Sequence, residues 1–221
     1  MQRFFDIFFS FTALFIFLPF LILIIIILKL TGEGEIFYTQ QRIGKHGKSF
    51  GLLKFATMKK NSSKMGSGFI TTKNDSRILP FGRFLRKTNI NELPQLVNVL
   101  KGDMSIIGMR PTVKQHFDCF SEKGKKELIK FPPGLSGLGS VVFSNEEKIM
   151  SNSKESEEYI HDFIIAPYKE KLELWFVDRR SILLYFVLII LTIFSIISPQ
   201  KKLYKKLPNL PKPSSELEKL L

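Results

Sequence analysis

Residues 89–111 (NINELPQLVNVLKGDMSIIGMRP) hold the side chains best suited to chemistry. Glu92, Asp103 and Arg110 stand there among apolar residues. Carboxylates of this kind hold divalent cations, and arginine clamps phosphate oxygens. A buried helix with a polar first turn is the other interpretation of the same residues.

The apolar residues of this stretch recur at helical spacing: Leu93, Leu96, Val97 and Leu100. The spacing predicts a short amphipathic helix with Glu92 in its first turn, where the helix dipole favours a carboxylate. Asn89 or Asn91 is expected to cap this helix, and Gly102 suits the left-handed residue at its end.

The chain is strongly basic, with 33 Lys and Arg against 20 Asp and Glu and a net charge of +13. Its partners are therefore expected to be anionic: membrane lipids, nucleotide phosphates or nucleic acid. The 22 Phe outnumber the five Tyr and one Trp, which favours lipid contact, and nucleic-acid motifs are absent, so we expect no nucleic acid. The single Cys119 excludes an internal disulfide and fits a reducing, cytosolic face.

Residues 7–28 carry no charge and are almost entirely apolar. A straight helix of this length reaches ~30 Å at ~1.5 Å per residue, enough to cross a bilayer core. Pro19 lies near its middle and favours a kink. A spanning helix and a bent, re-entrant helix both fit this pattern.

A second apolar run, residues 182–197, is short for a crossing and has basic residues on both sides. We predict a shallow helix in the membrane plane, with a second spanning helix as the competing interpretation. Tyr168 and Trp175 predict an amphipathic helix near the interface. Residues 200–221 are rich in Lys and Pro and predict a basic flexible tail.

The order ELPQLVNVLKGDMS, then GMRP, resembles the signature of the bacterial sugar transferases, which are monotopic polyprenyl-phosphate phosphoglycosyl transferases. Other parts of the chain resemble the family's motifs: Arg3 and Asp6; Gln40, Arg42 and Gly44; Lys54 and Phe55; Asp75, Arg77, Gly82, Leu85 and Arg86; Pro133 to Gly137. The chain departs from the family at Asn91, where an aspartate is usual, and at Leu18, where a serine precedes the proline.

The resemblance implies transfer of a phospho-sugar from a nucleotide diphosphate-sugar, such as a UDP-sugar, to polyprenyl (undecaprenyl) phosphate, which initiates surface glycan synthesis. It implies a place at the cytosolic face of the bacterial inner membrane, among membrane lipids. In the family the aspartate attacks the sugar-side phosphorus and the next glutamate helps hold Mg²⁺. Asn91 cannot form the same acyl phosphate. The enzyme is therefore expected to use direct attack by the lipid phosphate or to recruit Glu92, and a pseudoenzyme that binds without catalysis is the alternative.

The resemblance to this family defines the expected site. Glu92 and Asn91 occupy the catalytic positions, and Glu92 and Asp103 are the candidate Mg²⁺ ligands. The expected phosphate-binding side chains are Arg110, Arg86, Lys54 and Arg77. Arg77 and Arg86 have a second interpretation, pairing with acids, and Lys54 has one as a residue of a solvated face.

The expected fold class is α/β (α+β): a small, helix-rich, membrane-associated domain with a short β-hairpin and interfacial amphipathic helices. Its segments are a re-entrant membrane helix (1–31), bent at Leu18 and Pro19, a cytosolic catalytic-type domain (32–180), a membrane-associated helix (181–199) and the tail (200–221).

Overall fold

A computed structural model describes residues 1–62, 75–144, 146, 149, 156, 159–198 and 201–220. The α-helices in these residues are α1 (Gln2–Leu30), α2 (Pro80–Lys87), α3 (Gln95–Lys101), α4 (Lys114–Asp118), α5 (Glu122–Leu128), α6 (Leu138–Val142), α7 (Ala166–Asp178), α8 (Ile182–Ile197) and α9 (Ser215–Leu220). Shorter helical turns are the 3₁₀ helices Lys45–Gly47, Ile90–Glu92 and Leu203–Lys206 and the π-helix Ile160–Ile165.

The strands form two small two-stranded sheets: β1 (Phe37–Ile43) with β2 (Ser49–Phe55), and β3 (Ser105–Ile107) with β4 (Gly134–Ser136). The first pair is an antiparallel hairpin in which Tyr38 lies opposite Lys54. The second pair is parallel, with Ser105 opposite Gly134. The short β-hairpin expected from the sequence is therefore present, in residues 37–55.

Helix α1 is long and apolar enough to cross a membrane by length and composition, and it is the one such helix in the described residues. It runs without interruption through Pro19. Its buried residues lie toward its two ends: Asp6, Ser10, Leu21, Ile24 and Leu28. Residues 11–20, between these groups, contain no buried side chain.

Both ends of α1 pack on the same domain. Near its start, Arg3 donates hydrogen bonds to the carbonyl oxygens of Val99 and Leu100 at the end of α3. Near its end, Leu28 joins a buried cluster with residues of β2 and α2, namely Phe55 and Leu85. The helix is therefore held at two separated places, and its apolar middle is left uncovered.

Helix α8 packs one face on the domain, with Tyr185 and Leu188 almost fully buried. Its other face is apolar and exposed: Leu183, Ile190, Ile193, Phe194, Ile196 and Ile197. Tyr168 and Trp175 of α7 are also buried, at 5% and 6% exposure, in the same core. The interfacial position predicted for these two side chains is therefore wrong, because an apolar helical face looks alike whether protein or lipid covers it.

Residues 201–220 pack against the domain, so the flexible tail predicted for residues 200–221 is wrong for this range. Tyr204 is 5% exposed and Leu217 is fully buried in the main core. The hydroxyl of Tyr168 donates a hydrogen bond of 2.8 Å to the carbonyl oxygen of Pro211. Leucine side chains in this segment pack against the main core and hold the segment in place. Composition alone predicts a flexible tail because it does not show this packing. Residues 199, 200 and 221 lie outside the described part of the chain.

The architecture confirms a helix-rich α+β domain with a long apolar N-terminal helix. The division of the chain at residues 31, 180 and 199 stays a prediction.

Candidate active site

The carboxylate of Glu92 is the centre of a cluster of charges. The ammonium group of Lys54 lies 2.9 Å from Glu92 Oε1, and the guanidinium of Arg110 donates to the same oxygen. The Glu92 side chain is 16% exposed and that of Lys54 20% exposed. Two of the predicted phosphate-binding residues are thus brought to the predicted catalytic glutamate.

Three different elements position these side chains. Lys54 is on β2, Glu92 closes the 3₁₀ helix Ile90–Glu92, and Arg110 follows β3. The 3₁₀ helix starts after Asn89, whose backbone is left-handed with φ of 56°. Asparagine tolerates this conformation better than most residues. The chain therefore turns sharply just before the site.

The local structure differs in part from the expected helix start. Glu92 precedes α3 rather than lying in its first turn, because Pro94 occupies the capping position. Neither Asn89 nor Asn91 caps a helix through its side chain: the caps of the 3₁₀ helix and of α3 make no side-chain hydrogen bond. The predicted end of α3 is confirmed, since Gly102 is left-handed with φ of 96°.

The charge state of Glu92 follows from its neighbours. Burial alone raises the pKa of its carboxyl group, but Arg110 and Lys54 outweigh burial and bring the pKa to about 2. Burial also lowers the pKa of Lys54, which Glu92 opposes and Arg110 reinforces. Glu92 is therefore an anion at any physiological pH.

Arg42 belongs to the same cluster, although it was not among the predicted site residues. Burial and, to a smaller extent, the nearby Arg110 lower its pKa to about 10, while Glu92 opposes this shift. Its Nη2 donates to Gln40 at 2.6 Å, but its buried Nε has no partner in the described part of the chain. The sequence already indicated Arg42, because it belongs to the family motif formed by Gln40, Arg42 and Gly44.

Three cations around one carboxylate leave a surplus of positive charge. Arg110 lowers the pKa values of both Lys54 and Arg42, and Arg42 also lowers the pKa of Lys54, which means that these cations repel one another. An anion bound among them would relieve this repulsion. The arrangement is suited to a phosphate or diphosphate group.

Asn91 and Asp103 lie at different places around α3. Asn91 is 7% exposed and directly precedes Glu92. Asp103 follows the far end of α3, where it accepts a hydrogen bond of 3.2 Å from Asn98. The structure therefore places Asp103 with Asn98 and places Glu92 with Lys54 and Arg110.

The donor set limits how a metal ion could be held. The described residues contain no group of three or more His, Cys, Asp or Glu side chains arranged for a metal. Mg²⁺ often binds through one or two carboxylates together with substrate phosphates, so a full protein cage is not required. The permanently ionised Glu92 fits this mode.

Arg77 and Arg86 differ in their surroundings. Arg77 is buried and makes a two-pronged ion pair with Asp75, with Nη2 to Oδ2 at 2.6 Å and Nε to Oδ1 at 2.9 Å. This ion pair agrees with the second interpretation of Arg77, which was pairing with an acidic side chain. Arg86 is partly buried in the last turn of α2, which contacts the Ile90–Glu92 turn.

Leu18 and Pro19 lie in the uncovered middle of α1, where Leu18 is 50% exposed. Neither side chain belongs to the charge cluster.

The chain is similar to known bacterial proteins. Residues 1–199 match the family described as Bacterial sugar transferase. The exopolysaccharide production protein PSS of Rhizobium leguminosarum bv. phaseoli is 42% identical over 64% of this chain and 73% of its own length. The undecaprenyl-phosphate galactose phosphotransferase of Salmonella typhimurium is 37% identical over 66% of this chain and 33% of its own. The UDP-glucose:undecaprenyl-phosphate glucose-1-phosphate transferase of Xanthomonas campestris pv. campestris is 33% identical over 75% of this chain and 34% of its own.

Proposed function

Because the chain belongs to the bacterial sugar transferase family, we propose that it transfers a sugar phosphate from a UDP-sugar to undecaprenyl phosphate. Two of the relatives are named for reactions on undecaprenyl phosphate, and one of these also for UDP-glucose. The observation that carries the proposal is the contact of Glu92 with Lys54 and Arg110, in a domain that holds both ends of an apolar helix. Such a reaction initiates the assembly of a surface glycan.

The cations of the cluster would bind the diphosphate of the donor. Lys54, Arg42 and Arg110 together supply three positive charges to a group that carries negative charge on every phosphate. Fixed cations stabilise the charge that develops on a transferring phosphoryl group without having to reorganise. The same charges lower the repulsion that an approaching phosphate nucleophile meets.

Mg²⁺ is proposed as the cofactor, held by Glu92 and the donor diphosphate. Bound there, it would polarise the phosphoryl oxygens and neutralise charge on the leaving nucleoside monophosphate. Glu92 is suited to hold it because its pKa of about 2 keeps the carboxylate charged. Asp103, the other candidate ligand, accepts a hydrogen bond from Asn98 at the far end of α3.

The nucleophile is proposed to be the lipid phosphate itself. Asn91 carries a neutral amide, which is a poor nucleophile. Glu92 is ionised but is held by two cations, and its low pKa makes it a weak nucleophile. An oxygen of undecaprenyl phosphate would therefore form the new bond to the sugar-side phosphorus, while the bond to the nucleoside monophosphate breaks.

We infer that α1 is re-entrant and that both of its ends lie on the cytosolic face of the bacterial inner membrane. A helix that crossed the bilayer would carry one end ~30 Å away from a domain on the other side. Arg3, Asp6 and Leu28 instead contact one domain, and the uncovered residues 11–20 include Pro19. Proline cannot donate a hydrogen bond to the carbonyl of Phe15, which weakens the helix at this place.

The activity is tested with purified protein in detergent, Mg²⁺, undecaprenyl phosphate and a panel of UDP-sugars. We expect release of uridine monophosphate that depends on both the lipid phosphate and Mg²⁺. A Glu122→Gln variant, changed at an 80% exposed side chain, serves as the control and retains activity. No release with any donor, combined with activity gained in Asn91→Asp, would instead support a pseudoenzyme.

The membrane arrangement is tested by cysteine labelling in a Cys119→Ser background. One variant carries a cysteine in a short N-terminal extension, and the other carries Lys48→Cys in the exposed turn of the hairpin. We expect a membrane-impermeant reagent to label both positions only from the cytosolic side. Labelling of the two positions from opposite sides contradicts the re-entrant arrangement.

A further inference from the structure

Gln95, the first residue of α3, carries a buried amide with an unused donor. The residue is 2% exposed, and its Nε2 has no hydrogen-bond partner in the described part of the chain. Most buried polar groups in proteins are paired, because a buried donor without an acceptor costs free energy. The fold therefore gains nothing from the polar end of this side chain.

Asn98, one turn further along α3, shows the opposite case. It is 4% exposed, and its side-chain amide accepts a hydrogen bond of 3.0 Å from the backbone of Leu53 and donates one of 2.8 Å to the carbonyl oxygen of Gly51. Both partners are on β2. Because residues three apart lie on the same side of a helix, Gln95 also faces β2, one turn closer to the start of α3.

The start of α3 lies at the charge cluster. Glu92 comes three residues before Gln95, and its carboxylate pairs with Lys54, which follows Leu53 on β2. Along the interface between α3 and β2, Gln95 therefore lies between the hydrogen bonds of Asn98 and the ion pair of Glu92 with Lys54.

The strand β3 packs on the same side of α3. Val99 of α3 shares a buried cluster with Ile106 of β3. From β3 the chain continues to Arg110, whose guanidinium donates to Glu92. The strands β2 and β3 thus both lead toward Glu92, and Gln95 lies in the layer of side chains directly beneath the charge cluster.

We propose that the amide of Gln95 donates a hydrogen bond to a phosphate oxygen of the substrate bound at the charge cluster. This contact rests on the proposed function. The cations there attract the phosphate, whereas an amide N–H fixes one oxygen in a direction that a flexible ammonium group does not define. The donor is neutral, so it adds no further repulsion among the cations. The oxygen belongs to the diphosphate of the UDP-sugar or to undecaprenyl phosphate, which present the same acceptor.

Stability and binding are expected to respond differently to loss of this amide. Gln95→Met keeps the length of the side chain and removes its polar atoms. We expect its unfolding temperature without ligand to stay the same or rise, because no hydrogen bond of the fold is lost in the described residues. Asn98→Leu removes an amide that has partners and is expected to lower the unfolding temperature. A Gln95→Met protein destabilised as much as Asn98→Leu overturns the proposal, since the amide then serves the fold.

Binding is measured by calorimetry with inorganic diphosphate and Mg²⁺, on full-length protein in detergent, so that turnover is not needed. We expect Gln95→Met to weaken binding about tenfold or more, as for one hydrogen bond to a charged group. Gln115→Met makes the same substitution at an exposed glutamine of α4 and is expected to change neither binding nor stability. Equal diphosphate binding by Gln95→Met and the parent protein overturns the proposal.

UDP and undecaprenyl phosphate identify which phosphate accepts the bond. Weaker binding of UDP by Gln95→Met, with an unchanged KM for the lipid phosphate, assigns the contact to the donor. A raised KM for the lipid phosphate with unchanged UDP binding assigns it to the acceptor, and no change in either overturns the proposal. Diphosphate binding that depends on Gln95 in a protein that turns over no UDP-sugar supports the contact and contradicts only the proposed function.

Discussion

The hydroxyl of Tyr185 donates a hydrogen bond of 2.9 Å to the carboxylate of Asp6, although 179 residues separate them. Asp6 also accepts hydrogen bonds from the hydroxyl of Ser105 and the amide of Ile106. A single buried side chain thereby ties together α1, β3 and α8. Because β3 leads to Arg110, the same contact links the membrane helix to the charge cluster.

We expect Tyr185→Phe to lower the free energy of unfolding by about 1.5–3 kcal/mol, the usual range for a hydrogen bond to a charged group. The loss leaves Asp6 buried with one donor fewer. Thermal unfolding in detergent measures the effect. Tyr159→Phe, at a tyrosine 44% exposed, is the control. Equal unfolding temperatures for the two variants would show that the bond contributes nothing.

Replacing Glu92 by Gln removes the counter-charge of Lys54 and Arg110. We expect kcat/KM for the UDP-sugar to fall on the order of 10²-fold or more, as when a preorganised electrostatic contact is lost from a phosphoryl-transfer site. Rates of uridine monophosphate release measure the change, and the unfolding temperature shows that the variant is folded. Activity near that of the parent protein would remove Glu92 from the site.

Arg42 is expected to contribute to donor binding. Arg42→Gln deletes a cation whose Nε lacks a partner in the described residues, so we expect KM for the UDP-sugar to rise about tenfold or more. Lys48→Gln removes an exposed cation from the same hairpin and should leave KM unchanged. If both variants give the same KM as the parent protein, Arg42 makes no contact with the donor.

The sequence predicts Glu92 and Arg110 as site residues but does not predict Arg42, and the difference has a physical reason. Glu92 and Arg110 are found because they belong to one continuous motif. Arg42 is brought to them by the pairing of β1 with β2, which spacing along the chain does not reveal. The abundance of Lys and Pro in residues 200–221 predicts a flexible tail, whereas burial of Leu217 depends on a core formed by distant helices. The hydrogen bond between Asp6 and Tyr185 also depends on packing between distant segments, which spacing along the chain does not reveal.

The neutral side chain at position 91 predicts how the reaction divides into steps. With UDP-sugar alone, the parent protein is expected to form no phosphosugar adduct on Asn91, because an amide cannot give an acyl phosphate. Asn91→Asp restores a carboxylate beside Glu92 and is expected to become labelled under the same conditions. Mass spectrometry of the peptide that contains residues 89–101 distinguishes the two. An adduct on Asn91 in the parent protein contradicts direct attack by the lipid phosphate.

Glu173 makes the stability of the fold depend on pH. Its carboxyl group is buried on α7, with Oε1 accepting a hydrogen bond of 2.9 Å from the amide of Gly139. Oε2 has no hydrogen-bond partner among the residues that the structure describes. Burial raises the pKa to about 7, while the bond from Gly139 and the charge of Lys169 oppose the rise.

The direction of the effect follows from this pKa. Between the unfolded value of 4.5 and about 7 the folded protein binds more protons than the unfolded chain, so stability falls as pH rises through this window. The loss is on the order of 3 kcal/mol at ~1.4 kcal/mol per pKa unit. We expect Glu173→Gln to flatten the pH dependence and to raise the unfolding temperature at pH 8 more than at pH 5. Glu122→Gln, on an exposed helix, should keep the parent profile. A Glu173→Gln protein whose unfolding temperature still falls as steeply between pH 5 and 7 would show that another group carries the proton.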